Sequence, residues 1–144
     1  MIVRPIEAGD HDVWRSLFTA YGAFYKTAFD DRTLDGVWTW LLNPDHVLDA
    51  LVAEHDGEVI GIAQYRAVPD TFTAGTEWYL DDLFVSPAAR GSGAATALLE
   101  RLKEIAAETR GVLRWITAAD NLTAQSVYDK VATRTSWVTY EVRS

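Results

Sequence analysis

The chain has 144 residues, 49% of them apolar, with six Trp, no Cys and a formal net charge of −8. That is enough for one domain with its own core, and the apolar content excludes a disordered chain. No apolar run reaches membrane-span length, no basic block is available to neutralise phosphates, and without thiols there is no disulfide framework, thiolate metal site or cysteine nucleophile.

A single domain over residues 1–144, with no membrane or nucleic-acid partner, is therefore expected. The first residues, MIVRPIEAGD, lack the apolar segment of a secretory signal, so a cytoplasmic protein is the plain expectation. The acidic balance suits a cationic small substrate, and it equally serves to keep a domain soluble.

In chain order, Ile2 to Pro5 reads as a short strand, followed by a turn at Ala8-Gly9-Asp10. From about Asp12 to Tyr25, apolar residues at Trp14, Leu17, Phe18, Tyr21, Phe24 and Tyr25 recur three and four apart and predict an amphipathic helix. A second helix begins at Asp30 to Arg32 and runs through Leu34, Val37, Trp38, Leu41 and Leu42 until Asn43-Pro44 stops it. Val47 to Glu54 reads as a strand, Asp56-Gly57 as a turn, and Val59 to Val68 as the returning hairpin partner. Pro69 to Gly75 is a loop. Thr76 to Val85 is then a strand with two acids, Asp81 and Asp82, among apolar residues, and Gly91 to Thr109 a long helix with a stripe at Ala95, Leu98, Leu102 and Ile105.

Gly111 ends that helix and Val112 to Thr117 forms the next strand. Asn121 to Lys130 is a short helix capped by Asp120 or Asn121, and the alternation of Trp137 to Val142 predicts a final strand. The order β-α-α-β-β-β-α-β-α-β gives an α/β (α+β) domain, a mixed sheet with helices on both faces. His11, His46 and His55 have no metal-ligand spacing, so no metal is expected.

The chemistry concentrates between Tyr79 and Leu102. A strand, a glycine turn (Arg90-Gly91-Ser92-Gly93) and a helix make a candidate phosphate cradle. Amides of a first helical turn have no intrahelical partner, the helix dipole adds positive charge, and Arg90 brings a fork-shaped cation. No Gly-Lys-Ser/Thr follows, so this is not a P-loop, and the glycine spacing is not that of a dinucleotide fingerprint.

Arg90-x-x-Gly93-x-Ala95, after Leu83-Phe84-Val85-Ser86-Pro87, resembles the pyrophosphate-binding signature of the GNAT acyl-CoA-dependent N-acetyltransferases, and the order of elements matches theirs end to end. The resemblance implies a GNAT-like, mostly antiparallel central sheet and acetyl-CoA as co-substrate. Arg90, Gly91, Ser92, Gly93, Ala94 and Ala95 would hold its phosphates, and the backbone of Leu83, Phe84 and Val85 would pair with its pantetheine arm like an added strand. Asn121-x-x-Ala124-x-x-x-Tyr128 resembles the family's second motif, which puts Tyr128 in the place of the proton donor to the leaving sulfur and Asn121 against the pantetheine. Read from the residues alone, Tyr128 is as easily a core residue of an amphipathic helix. The usual Gly-Phe after this helix is replaced by Ala132-Thr133.

Tyr79-Leu80-Asp81-Asp82-Leu83-Phe84-Val85 is similar to the corresponding strand of the diamine, polyamine and thialysine acetyltransferases, which carry Leu-Glu-Asp there. By that match Asp81 stands for the proton-accepting or amine-binding Glu and Asp82 for its neighbour, and the shorter Asp favours a water relay. Glu77 is a weaker alternative. Tyr21 and Tyr25 are singled out for the acceptor pocket, although core packing explains them as well.

Direct transfer from thioester to amine needs a base for the ammonium and a proton for the thiolate. Adjacent strand residues point to opposite faces, so only a bulge would bring Asp81 and Asp82 into one cleft. Each acid could equally be bound by backbone or an Arg. The expected function is acetyl-CoA-dependent N-acetylation of a small primary amine, a di- or polyamine or a lysine-like amino acid. Its alternatives are a protein amine or xenobiotic as acceptor, a non-catalytic acyl-CoA-binding domain, and a nucleotide-binding module. The resemblance also implies a homodimer, to which Trp137 and Tyr140 are available if they are not buried in the core.

Overall fold

A computed structural model describes residues 1–144. Five strands, β1 (Ile2–Pro5), β2 (Leu48–His55), β3 (Glu58–Asp70), β4 (Gly75–Val85) and β5 (Leu113–Arg114), lie in the order of their sequence. The first four pair antiparallel and only β4 and β5 run parallel. Four helices, α1 (His11–Phe24), α2 (Asp31–Leu42), α3 (Ala94–Glu108) and α4 (Leu122–Val131), cover the sheet. This is the mixed, mostly antiparallel sheet with helices on both faces that the sequence predicts.

The alternation of each strand builds two cores. Trp14, Leu17, Phe18 and Leu34 of α1 and α2 bury Val52, Val59, Ile62 and Phe84 on one face. On the other, Ala94, Leu98, Leu99 and Leu102 of α3 bury Leu51, Ala53, Ala63, Tyr65 and Leu80. Odd and even positions separate along β2, as the pleat requires, while register shifts between Ala53 and Glu54 and between Gln64 and Tyr65 exchange the faces along β3 and β4. The N-terminal strand is tied to α1 by Arg4, whose two terminal nitrogens bond both oxygens of the buried Asp10 at 2.8 and 2.9 Å. That bidentate pair holds the Asp10 carboxyl below the usual carboxylate range.

Several boundaries differ from expectation. The β3–β4 hairpin continues through Pro69↔Thr76 and Asp70↔Gly75, which shortens the expected loop to Thr71–Ala74. Helix α3 begins at Ala94 rather than Gly91, because Gly93 has φ +88° and stands at its N-terminus in the left-handed region. The last strand is the main correction. Trp137 to Val142 forms no strand, and residues 133–144 are exposed, with Tyr140 at 90% and Val142 at 99%. Alternation decides which faces a strand would show, but a strand also needs an edge to pair with. Here β5 pairs over only two residues, not from Val112 to Thr117, and offers the tail no ladder.

Candidate active site

The site is made by an irregularity in β4. Across β3, Gln64 faces Asp82 while Tyr65 already faces Leu80, so Asp81 is an extra, bulged residue. The bulge reverses the pleat. Leu80 packs toward α3, whereas Asp82 and Phe84 turn toward α1. Both acids thereby line one cleft of about 280 Å³, with Phe18, Val37, Trp40 and Leu48 among its apolar walls.

The two carboxylates are not equivalent there. Asp81 receives the Nε–H of Arg66, at 3.0 and 3.2 Å from its two oxygens. Asp82 lies deeper and is bonded by Gln64 Nε2 at 2.7 Å. Gln64, 1% exposed, accepts in turn from Trp14 Nε1 at 2.7 Å. Burial pushes the Asp82 carboxyl above the ordinary carboxylate range, against the pull of Gln64 and Tyr21, and the Asp81 charge adds to the rise. Burial lifts Asp81 as well, although Arg66 opposes it. Glu77 is bound by Arg114 and lies outside this cleft.

Tyr21 stands in a ladder of rings along α1, with centroids 5.9 Å from Phe18 and 5.0 Å from Tyr25, and 6.1 Å from Phe84 on β4. No hydrogen bond of ordinary geometry joins Tyr21 to Asp82. They are nevertheless near enough that burial and then the Asp82 charge push the Tyr21 phenol up. Burial and the neighbouring Tyr25 push Tyr128 up in the same way, and Tyr128 acts on Tyr21. Tyr21, Tyr25, Tyr128 and Asp82 thus form one electrostatic cluster. Tyr128 is steered from behind by Trp115, edge-on at 5.3 Å. Tyr128 packs against the α3-side core and is only half-buried.

A gap opens beside these groups. Strand β5 pairs with β4 only at Trp78↔Leu113 and Tyr79↔Arg114, and from Leu80 onward the outer edge of β4 has no partner. Ser86 N–H donates to Ile60 C=O across β3 at 2.8 Å, so alternation turns the backbone groups of Leu83 and Val85 to the open edge. Phe84 directs its backbone to β3 and its side chain into the core. At the end of this edge the amides of Gly93, Ala95 and Thr96 have no backbone partner, and Ser92 Oγ caps only Ala94 N, at 3.4 Å. Arg90 is exposed and has no carboxylate partner, its guanidinium lying 5.9 Å from the Phe84 ring centroid. An unpaired strand edge leading to free amides and a free cation fits a long ligand ending in phosphates. Asn121, by contrast, spends its side-chain oxygen capping α4 at Ala124 N, 3.3 Å away. No group of three or more His, Cys, Asp or Glu could hold a metal ion.

Residues 11–132 match the Acetyltransferase (GNAT) family. The chain belongs to that family. It is 28% identical to the D-amino-acid N-acetyltransferase HPA3 of Saccharomyces cerevisiae over 144 residues, 98% of this chain and 89% of the relative. It is 32% identical to the uncharacterized N-acetyltransferase YhfO of Bacillus subtilis over 131 residues, 90% of this chain and 87% of that one. A crystal structure of a probable acetyltransferase superposes with a TM-score of 0.88 at 24% identity, covering 100% of this chain and 98% of the other. This GNAT protein is accordingly an acetyl-CoA-dependent N-acetyltransferase.

Sequence reasoning missed Arg66 and Gln64, which bond the two acids, and the part Trp14 plays in holding Gln64. No motif contains them. A polar Gln and an Arg two residues apart inside an otherwise apolar strand, Ile60 to Val68, were the only signal.

Proposed function

We propose that the protein transfers the acetyl group of acetyl-CoA directly to the primary amine of a small molecule, with Asp82 as the base and Tyr128 as the acid. The observation that carries this is the placement of a buried, proton-hungry carboxylate in a small cleft beside the point where β4 and β5 part, with Tyr21 lying between it and Tyr128. Asp82 takes the ammonium proton, directly or through one water, and the freed nitrogen attacks the thioester carbon. As the C–S bond breaks, Tyr128 gives its proton to the sulfur, and the nitrogen, now bonded to the acetyl carbon, loses its second proton to solvent, from which the phenol is restored. Asp82 replaces Asp81 as the preferred base because Arg66 already occupies Asp81.

Leu83 and Val85 would pair with the pantetheine arm, and Arg90 with the amides after Gly91 would hold the phosphates. The cleft volume and the yeast relative's name favour a small amine over a protein N-terminus. The same reading has the protein acting in the cytoplasm as a homodimer. Its exposed Trp137 and Tyr140 support the dimer, as does an apolar groove between α3 and α4 lined by Leu99, Leu113, Trp115 and Val131.

The test is thiol release from acetyl-CoA against diamines, polyamines, amino acids, aminoglycosides and short peptides, with each product mass confirmed. One class of small amine is expected to turn over. Asp82→Asn and Tyr128→Phe are each expected to lower kcat about 10²- to 10⁴-fold. Tight CoA binding with no acceptor-dependent release would instead establish a binding domain.

A further inference from the structure

Arg66 is a cation in an acidic cleft. Its Nε–H is committed to Asp81, and its guanidinium carbon lies 5.0 Å from the centroid of the Tyr79 ring. Stem and plane are therefore fixed. Its two terminal nitrogens make no hydrogen bond to the protein, and 41% of the side chain is exposed. A guanidinium held by Nε and by a ring face keeps two parallel N–H groups for a carboxylate.

We infer that Arg66 binds the carboxylate of the acceptor, and that the acceptor is an amino acid with an apolar side chain. Its ammonium meets Asp82, its carboxylate the terminal nitrogens of Arg66, and its side chain the wall formed by Val37, Trp40 and Leu48. This rests on the amine acetyltransferase reading above. Spacing agrees with it. Gln64, which bonds Asp82, and Arg66 stand two residues apart on one face of β3, about 7 Å along the strand. One amino-acid head with a hydrogen bond at either end spans such a distance. A diamine would instead bring its second ammonium against a fixed guanidinium, since Asp81 is already neutralised by Arg66.

The experiment compares matched sets at saturating acetyl-CoA: D- and L-phenylalanine, their carboxamides, and phenethylamine, with leucine and cadaverine sets alongside. The amino acids are expected to exceed their carboxamides and decarboxylated amines by about 10- to 100-fold in kcat/KM, the range of one or two charge-assisted hydrogen bonds. Arg66→Met is expected to collapse that preference through KM, because the amino acids lose an anchor while cadaverine gains the freed Asp81. Arg66→Lys should restore part of it. The half-exposed Arg66–Asp81 pair contributes little to stability, so both variants should fold. Calorimetric titration of the amino acids into the CoA complex gives a second readout, expected in the wild type and lost in Arg66→Met. Decarboxylated amines turning over as well as their amino acids would overturn the inference and leave the acetyltransferase reading standing. Failure of every amine would overturn that reading, and the titration would still decide whether Arg66 holds a carboxylate.

Discussion

Gln64 occupies a position on β3 where an apolar side chain would fit the surrounding core, and its burial is justified by what it connects. An indole N–H can only donate, so Trp14 fixes Oε1 of Gln64 toward α1 and leaves Nε2 to face Asp82. Asp82, the proposed base, is thus held through the core by α1. Asp82 must be ionised to accept a proton, so kcat/KM should fall as pH drops through its folded pKa, which burial has raised above the ordinary value of about 4. Gln64 opposes that rise. Gln64→Leu removes the donor, so the acidic limb should move to higher pH and kcat near the limb should fall. An unmoved limb would show that another group titrates. Stability runs the other way. A raised folded pKa means that the folded state loses stability as pH climbs from the unfolded value through the folded one. Asp82→Asn should therefore leave Tm at neutral pH unchanged or higher while activity collapses. The two acids were legible in the sequence. Their separate roles were not, because these depend on one bulged residue and on an Arg and a Gln that lie in no motif.

Helices and strands with strong periodicity were read correctly from apolar spacing alone, and β1 to β4, α1, α2 and α4 fall within a few residues of expectation. What the spacing could not show is where β4 and β5 part, since that follows from a close approach elsewhere. A Cβ on Gly111 would come within 2.2 Å of Thr76 O, so the glycine lets the chain entering β5 press against the start of β4 while the later residues diverge. Gly93 acts differently. A Cβ there would meet nothing within 4 Å, and the requirement is its φ of +88°. Gly93→Ala should cost about 1–2 kcal/mol through backbone strain alone. The result should be a Tm a few degrees lower and CoA binding weakened about tenfold, read by melting curves and calorimetry. If both stayed at wild-type values, the left-handed turn would be irrelevant to the coenzyme.

At the scale of the whole molecule, the sheet is covered on both faces, yet the chain from Thr133 onward carries Trp137, Val138, Tyr140 and Val142 exposed. Val138, Tyr140 and Val142 alternate as one face of a strand does, and β5 gives them no edge within the chain. The proposed homodimer supplies one. A fully buried large apolar side chain is worth about 1.5–3 kcal/mol, so the three of that face from each of two copies give roughly 9–18 kcal/mol before costs. Association costs on the order of 4–15 kcal/mol, which a paired tail can exceed and an unpaired one cannot. Sedimentation at micromolar concentration should therefore show a dimer, and the double substitution Trp137→Ser, Tyr140→Ser should convert it to a monomer with its far-UV spectrum retained. Trp137 emission should shift to the red in the single variant Tyr140→Ser, because loosening the pairing returns the indole to water. A wild-type monomer would remove the dimer and require the tail's apolar residues to serve another surface. The groove between α3 and α4 borders α4 itself, which carries Tyr128. Loss of the dimer should accordingly reduce turnover by displacing that tyrosine, in proportion to the monomer fraction.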